Sequence, residues 1–305
     1  MSDSQIKPYH VPVLLNECLE GLNINPDGIY LDLTFGGGGH SRAVLDRLSD
    51  KGQLFAFDKD KDALDNAIDD DRFCLINADY SEMTKQLRMY RITQVDGILA
   101  DLGISSHQID TSQRGFSFRS DAPLDLRMNT DNAFTAADVV NSYTQEQLSK
   151  LFFTYAEIPN AKQVAKAICK KRDEQYIATT AELCSAVKTL TKPNIENKFF
   201  AKIFQALRIE VNDELASLDS MLMQCEGLLK PKGRLVIISY HSLEDKKVKQ
   251  LIRSGNTEGK TEKDFYGNVN TPYIPVTRKP ITPGEEELLQ NTRSRSAKLR
   301  VAEKK

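Results

Sequence analysis

Cysteine is sparse in this 305-residue chain, and what there is stands apart. Cys18, Cys74, Cys169, Cys184 and Cys225 are odd in number and never spaced as a Cys-x-x-Cys pair. That argues against a disulfide framework and against a thiolate zinc site. Histidine is scarcer still, four residues without a cluster. Long apolar runs are missing near the start. "VPVLL" from Val11 is too short for a signal peptide or a membrane span, so a reducing cytoplasm is the expected compartment. A surplus of one charge is missing too. The net charge is −2, so no global basic field announces a polyanionic partner. One local exception runs from Arg278 to Lys305, where eight Lys/Arg face four Glu. Such a segment is either a solvated tail or a tracker of phosphates. The hydrophobic content of 40% suffices for a large core and one or two domains.

What is present first is alternation. "IYLDLT" from Ile29, "QLFAFD" ending at Asp58, "RFCLIN" and "VDGILAD" ending at Asp101 are short buried strands. "SRAVLDRL" and "KDALDNAI" between them have helical spacing. That pattern predicts a parallel sheet with helices on both faces. It stops after Asp101. "DLGISSHQIDTSQRGFSFRSDAPLDLRM" has no clear period, and irregular segments of such length are functional or disordered. Helices follow, with capping boxes at Thr144/Gln147 and Thr179/Glu182. "KPKGRLVIIS" resumes the strands, and "KLRVAE" reads as a last edge strand. "SGNTEGKTEKDFYGN" reads as a mobile loop. The expected architecture is an α/β, doubly wound domain made of residues 1–111 and 199–305. A small helical domain, residues 112–198, interrupts it.

Four successive glycines, Gly36 to Gly39, sit at the carboxyl end of the first strand. Ligands of open α/β sheets bind there. Asp58 ends the second strand, 20 residues after Gly38, which is the place for a carboxylate that takes a ribose diol. Asp101 ends the fourth. No Gly-Lys-Ser/Thr follows the glycines, so this is not a phosphate loop. The dinucleotide fingerprint is incomplete, since its third glycine position holds Ser41 or Arg42. A tight turn accounts for one or two glycines, not four. A nucleoside ligand without an essential pyrophosphate fits best, S-adenosylmethionine better than NAD.

Eight strings occur in order: "HVPVLLNE" from His10, "LTFGGGGHS" from Leu33, "DLGISSHQID" from Asp101, "RGFSF" from Arg114, "PLDLRM" from Pro123, "FQALRIEVNDEL" from Phe204, "GRLVIISYHSLED" from Gly233 and "RSRSAKLRVAE" from Arg293. On these the chain resembles the bacterial 16S ribosomal RNA N4-cytosine methyltransferase family, ribosomal RNA small subunit methyltransferase H, also called MraW. The resemblance spans nearly the whole chain. "YAEIPNAKQVAKAI" from Tyr155 departs from a Gly-Glu-Glu-Arg-like stretch, and "KPKGRL" from a Gly-Gly-Arg-Leu turn. The resemblance implies a Rossmann-like class I fold and a methyl donor, S-adenosyl-L-methionine. It implies that Gly38, Gly39 and His40 hold the donor's amino-acid end and that Asp58 takes the ribose. Tyr80 would lie by the adenine, with Asp101 and Gln108 closing the site. The implied acceptor is the N4 amine of a cytidine in the decoding centre of 16S rRNA, within the small ribosomal subunit.

Such a reaction is an in-line displacement that needs no metal. Asp101, Ser105 and Ser106 stand where the acceptor amine would be oriented, by analogy with other amino-methyltransferases. The inserted domain would be the substrate side, since a base must leave its stack to be reached. Neither a membrane nor a metal is expected, and the assembly is a monomer or homodimer. Some alternatives stay open. His40 is a ligand contact or a helix start. His241 is a loop residue or lines the RNA pocket. Arg114, Phe116 and Phe118 are core with a salt bridge, or a stacking platform for a splayed base. Arg208 is expected in a buried ion pair. A nicotinamide-dependent dehydrogenase and a non-catalytic RNA-binding or assembly protein are the competing functions.

Overall fold

The computed structural model describes residues 12–305, so His10 and Val11 of the first motif lie outside it. Seven strands form one sheet: β1 (Ile29–Asp32), β2 (Gln53–Asp58), β3 (Phe73–Asn77), β4 (Val95–Asp101), β5 (Leu229–Ser239), β6 (Tyr273–Pro275) and β7 (Lys298–Lys304). Their order is β3-β2-β1-β4-β5-β7-β6. The first five are parallel, and β7 runs antiparallel to both β5 and β6. This is the doubly wound, Rossmann-like α/β domain expected from the alternation.

Buried parallel strands must be apolar on both faces, and here they are. Leu31, Ile98, Ala100, Leu235 and Ile237 face one core. Tyr30, Leu99, Val236 and Ile238, the intervening residues, face the other. The period of two is that of the strand itself. β7 is not the edge strand that its sequence suggested. It lies between β5 and β6, because Leu299 and Val301 are buried in the core and both of its backbone edges are paired. "KDALDNAI" also differs: Lys61–Asn66 is a 3₁₀ segment, capped by Asp60, which accepts from the Asp62 N–H at 3.2 Å.

The chain forms two compact units. One comprises the residues up to Gly103 with Ser217–Lys305, and the other Ile104–Ala216. The division extends the helical unit beyond the 112–198 read from sequence. The helix Glu196–Val211 supplies Phe200, Ile203, Phe204 and Leu207 to the helical core, where they pack with Leu148, Phe152, Val164 and Leu183. Both predicted capping boxes form, at Thr144 and Thr179. Among the described residues, no helix is long and apolar enough to cross a membrane.

Candidate active site

The strand order reverses direction between β1 and β4, and the carboxyl ends of these two strands define the switch point of the sheet. Asp32 ends β1 and Asp101 ends β4. Between them Thr34 accepts a hydrogen bond from the Asp101 N–H at 2.6 Å. Asp32 is 1% exposed. It accepts from the Ser41 hydroxyl at 2.6 Å and the Thr34 N–H at 3.1 Å, which ties the glycine loop's two ends together. Asp32 was not singled out in the sequence. Its place in "LDLT" was legible only as a strand end.

The four glycines have different reasons. Gly36 (φ 52°) and Gly38 (φ 74°) occupy the left-handed region, where a side chain is strained. Gly39 opens the helix Gly39–Leu45, and a Cβ there would stand 2.4 Å from Pro12 Cγ. Gly37 has neither constraint. Its φ is not positive, and a Cβ would meet nothing within 4 Å. The loop is held from behind. Asn66 donates to the Gly36 carbonyl at 3.1 Å and Arg42 to the Gly37 carbonyl at 2.6 Å. Open space at one glycine of a braced loop is what a docking ligand requires.

Asp58 Oδ2 accepts from the Gly36 N–H at 2.8 Å, and Oδ1 from the Asp60 N–H at 2.9 Å. Asp58 thus shapes the glycine loop, and each oxygen keeps a second lone pair. Burial raises its pKa to about 6, against the lowering effect of the two backbone donors. His40 is 7% exposed, and its Nε2 lies 3.1 Å from the Val13 carbonyl. A carbonyl only accepts, so Nε2 carries the hydrogen. Tyr80 starts the turn after Asp79, half-buried against the sheet core. Asp79 pairs with Lys59 at 3.3 Å, and Asn77 donates to the Asp58 carbonyl at 2.9 Å.

Asp101 Oδ1 accepts from the Tyr240 hydroxyl at 2.8 Å; Oδ2 accepts from no described residue. Burial pushes the Asp101 carboxyl up to about 6, opposed by His40 and by the Tyr240 bond. Desolvation and the neighbouring Asp101 charge push the Tyr240 hydroxyl far above its ordinary range, so it stays a donor. Sequence reasoning missed Tyr240, which directly follows β5.

The sheet unit therefore holds Gly38, Gly39, His40, Asp58, Tyr80 and Asp101. Ser105, Ser106 and Gln108 belong to the other unit. There Ser105 caps a short helix: its hydroxyl accepts from the Gln108 N–H at 3.2 Å, and Gln108 Oε1 accepts from the Ser105 N–H at 3.1 Å. His241 is an N-cap as well. Its Nδ1 accepts weakly from the Glu244 N–H at 3.4 Å, and Glu244 accepts from the Tyr240 N–H at 2.9 Å. Arg114 is buried, donates to the carbonyls of Arg127 (3.0 Å) and Met128 (2.9 Å) and lies over the Phe116 ring. Phe118 packs on Phe200 and Phe204. These three build the helical core. Arg208 forms the expected ion pair, two hydrogen bonds of 2.8 and 2.9 Å to Glu214.

The MraW methylase family matches residues 7–305. The chain belongs to that family. A ribosomal RNA small subunit methyltransferase H of Bacteroides fragilis is 52% identical over 297 residues, covering 97% of this chain and 98% of that one. The protein of the same name from Bacteroides thetaiotaomicron matches to the same extent. That of Christiangramia forsetii is 52% identical over 296 residues, with 97% and 98% covered.

Proposed function

We propose that this chain moves a methyl group from S-adenosylmethionine to the N4 amine of a cytidine in the decoding centre of 16S rRNA, within the small ribosomal subunit. The observation that carries this is Asp101: a partly exposed carboxylate at the switch point, tied through Thr34 to the glycine loop, in a chain of the MraW methylase family. The site suits the donor. Gly37 leaves open space, and Asp58 keeps a lone pair on each oxygen for a ribose diol. When bound, S-adenosylmethionine supplies an electrophilic methyl group on a sulfonium that carries its own positive charge, so no Lewis acid is needed.

Gly38, Gly39 and His40 are assigned to the donor's amino-acid end, Tyr80 to the adenine, and Gln108 to closing the site. Residues 104–216 are assigned to the RNA. The harder problem is the acceptor. A cytosine amine is conjugated with its ring, and its lone pair is poorly available. Asp101 Oδ2 can accept one N–H and turn the lone pair out of that conjugation, while Tyr240 fixes Oδ1. Such positioning supplies several kcal/mol. A carboxylate with a pKa of about 6 can then take the proton that N4 sheds. Ser105 and Ser106 are the further candidates for orienting the acceptor.

The test is methylation of small subunits purified from cells that lack this protein, read by mass spectrometry of the 16S rRNA. One new N4-methylcytidine in the decoding centre is expected. No incorporation, or a methyl group on another base, overturns the assignment. Thermal stabilisation by S-adenosylhomocysteine but not by NADH separates it from a dehydrogenase.

A further inference from the structure

Among the described residues, the two most exposed aromatic side chains are neighbours in sequence. Phe265 is 98% exposed and Tyr266 86%. They stand at the tip of a hairpin where sequence suggested only a mobile loop. Lys263 pairs with Val269 across it. The Asp264 N–H donates to the Asn268 carbonyl at 2.9 Å, and the Asn270 N–H to the Glu262 carbonyl at 2.8 Å. The Asp264 carboxylate accepts from the N–H groups of Tyr266 and Asn268 and from the Asn268 side chain, at 2.8–3.0 Å. Gly267, at φ +84°, turns the chain back. The tip is therefore a built turn. It holds the two rings edge to face, with centroids 5.7 Å apart.

The stretch of chain that carries the tip is basic. From Lys246 to Lys279 eight Lys/Arg face three Asp/Glu, in a chain whose net charge is −2. Lys246, Lys249 and Arg253 recur at helical spacing on one face of the helix Ser242–Ser254, and all three are exposed. Lys260, Lys263, Arg278 and Lys279 are exposed as well. Exposed rings flanked by cations suit a partner with flat π faces and regularly spaced negative charges, which is single-stranded nucleic acid. A lipid surface would ask for a broader apolar patch, but the hairpin that carries the rings also holds the polar Asp264, Asn268 and Asn270.

We propose that the Phe265–Tyr266 tip is a docking foot that stacks on unpaired bases of ribosomal RNA, with the exposed lysines and arginines of the same stretch on the phosphates. This rests on the ribosomal-RNA reading above. It adds a contact surface formed wholly by the sheet unit.

The experiment uses the full chain and small subunits from cells lacking it. A Phe265→Ala/Tyr266→Ala variant should fold as wild type, since neither ring is buried. Its KM for subunits should rise about tenfold or more, with kcat at saturation and S-adenosylhomocysteine affinity unchanged. A KM within twofold of wild type overturns the foot. The chain has no tryptophan, so Phe265→Trp places a single indole at the tip. Its fluorescence should be quenched by subunits and by protein-free 16S rRNA. Quenching by subunits alone overturns base stacking and assigns a ribosomal protein instead. A response to phosphatidylserine vesicles alone assigns a membrane. If wild type transfers no methyl group, the functional reading fails, and indole quenching, which needs no transfer, still decides the foot by itself.

Discussion

Tyr240 donates its hydroxyl hydrogen to Asp101 at 2.8 Å, so the residue after β5 bears on the charge state of the residue that ends β4. The bond favours the carboxylate; burial opposes it and wins. Tyr240→Phe removes the favourable contribution and leaves the ring in place. The acidic limb of the single-turnover methylation rate should move up by about one to two pH units, the worth of one hydrogen bond to a charged group. S-adenosylhomocysteine affinity should hold. An unmoved limb in the pH–rate profile would separate Tyr240 from the chemistry.

Asp101→Asn keeps the shape and one acceptor oxygen but not the charge. For wild type the rate should fall as pH drops through about 6, because the carboxylate that orients the amine becomes protonated. The asparagine variant should be slow and flat over that window at saturating donor. Stability carries the opposite sign. The folded-state pKa of Asp101, like that of Asp58, lies above the ordinary carboxylate value. The folded form therefore binds protons more tightly, and wild-type stability should decline as pH rises from about 4 to about 6. Denaturant titrations across that range should show a shallower decline for the variant.

The glycines separate by substitution. Gly37→Ala meets no neighbour and no positive φ, so the protein should keep its melting temperature and lose affinity for S-adenosylhomocysteine. Gly39→Ala drives a methyl group into Pro12, and Gly38→Val strains a left-handed residue, so both should lose stability as well, by about 1–3 kcal/mol. Calorimetry beside thermal melts reads both. Full binding by Gly37→Ala would show that its open space holds no ligand.

Asp58→Ala should weaken donor binding by about 1.5–3 kcal/mol through loss of a charge-assisted contact. It should also cost about 1 kcal/mol of stability, since the Gly36 and Asp60 N–H groups lose their acceptor. Urea unfolding would register the second effect without ligand. Unchanged donor affinity would remove Asp58 from the ribose.

The strands and their polar ends were legible because a parallel strand buried on both faces must be an apolar run, and its first polar residue marks the crevice. Asp58 and Asp101 were readable in that way. Tyr240 was not, since a tyrosine after a strand is equally a core residue or a surface one until its neighbour is known. The boundary after residue 198 was misplaced for a similar reason. The apolar face of Glu196–Val211 has helical period whichever core it meets, and only packing shows Phe200 and Phe204 among the other helices. The insertion of β7 between β5 and β6 depends on non-local pairing, which no local pattern encodes.

That insertion orders events during synthesis. The helical unit is one continuous stretch, Ile104–Ala216, and its contacts can form as soon as it has left the ribosome. The sheet unit must wait. Until Lys298–Lys304 emerge, β5 has an open backbone edge and Leu299 and Val301 are missing from the core beneath it. A chain that ends between Ser239 and Lys298 thus keeps every strand up to β5 but leaves the outer edge of β5 unpaired, which is a template for association with another strand.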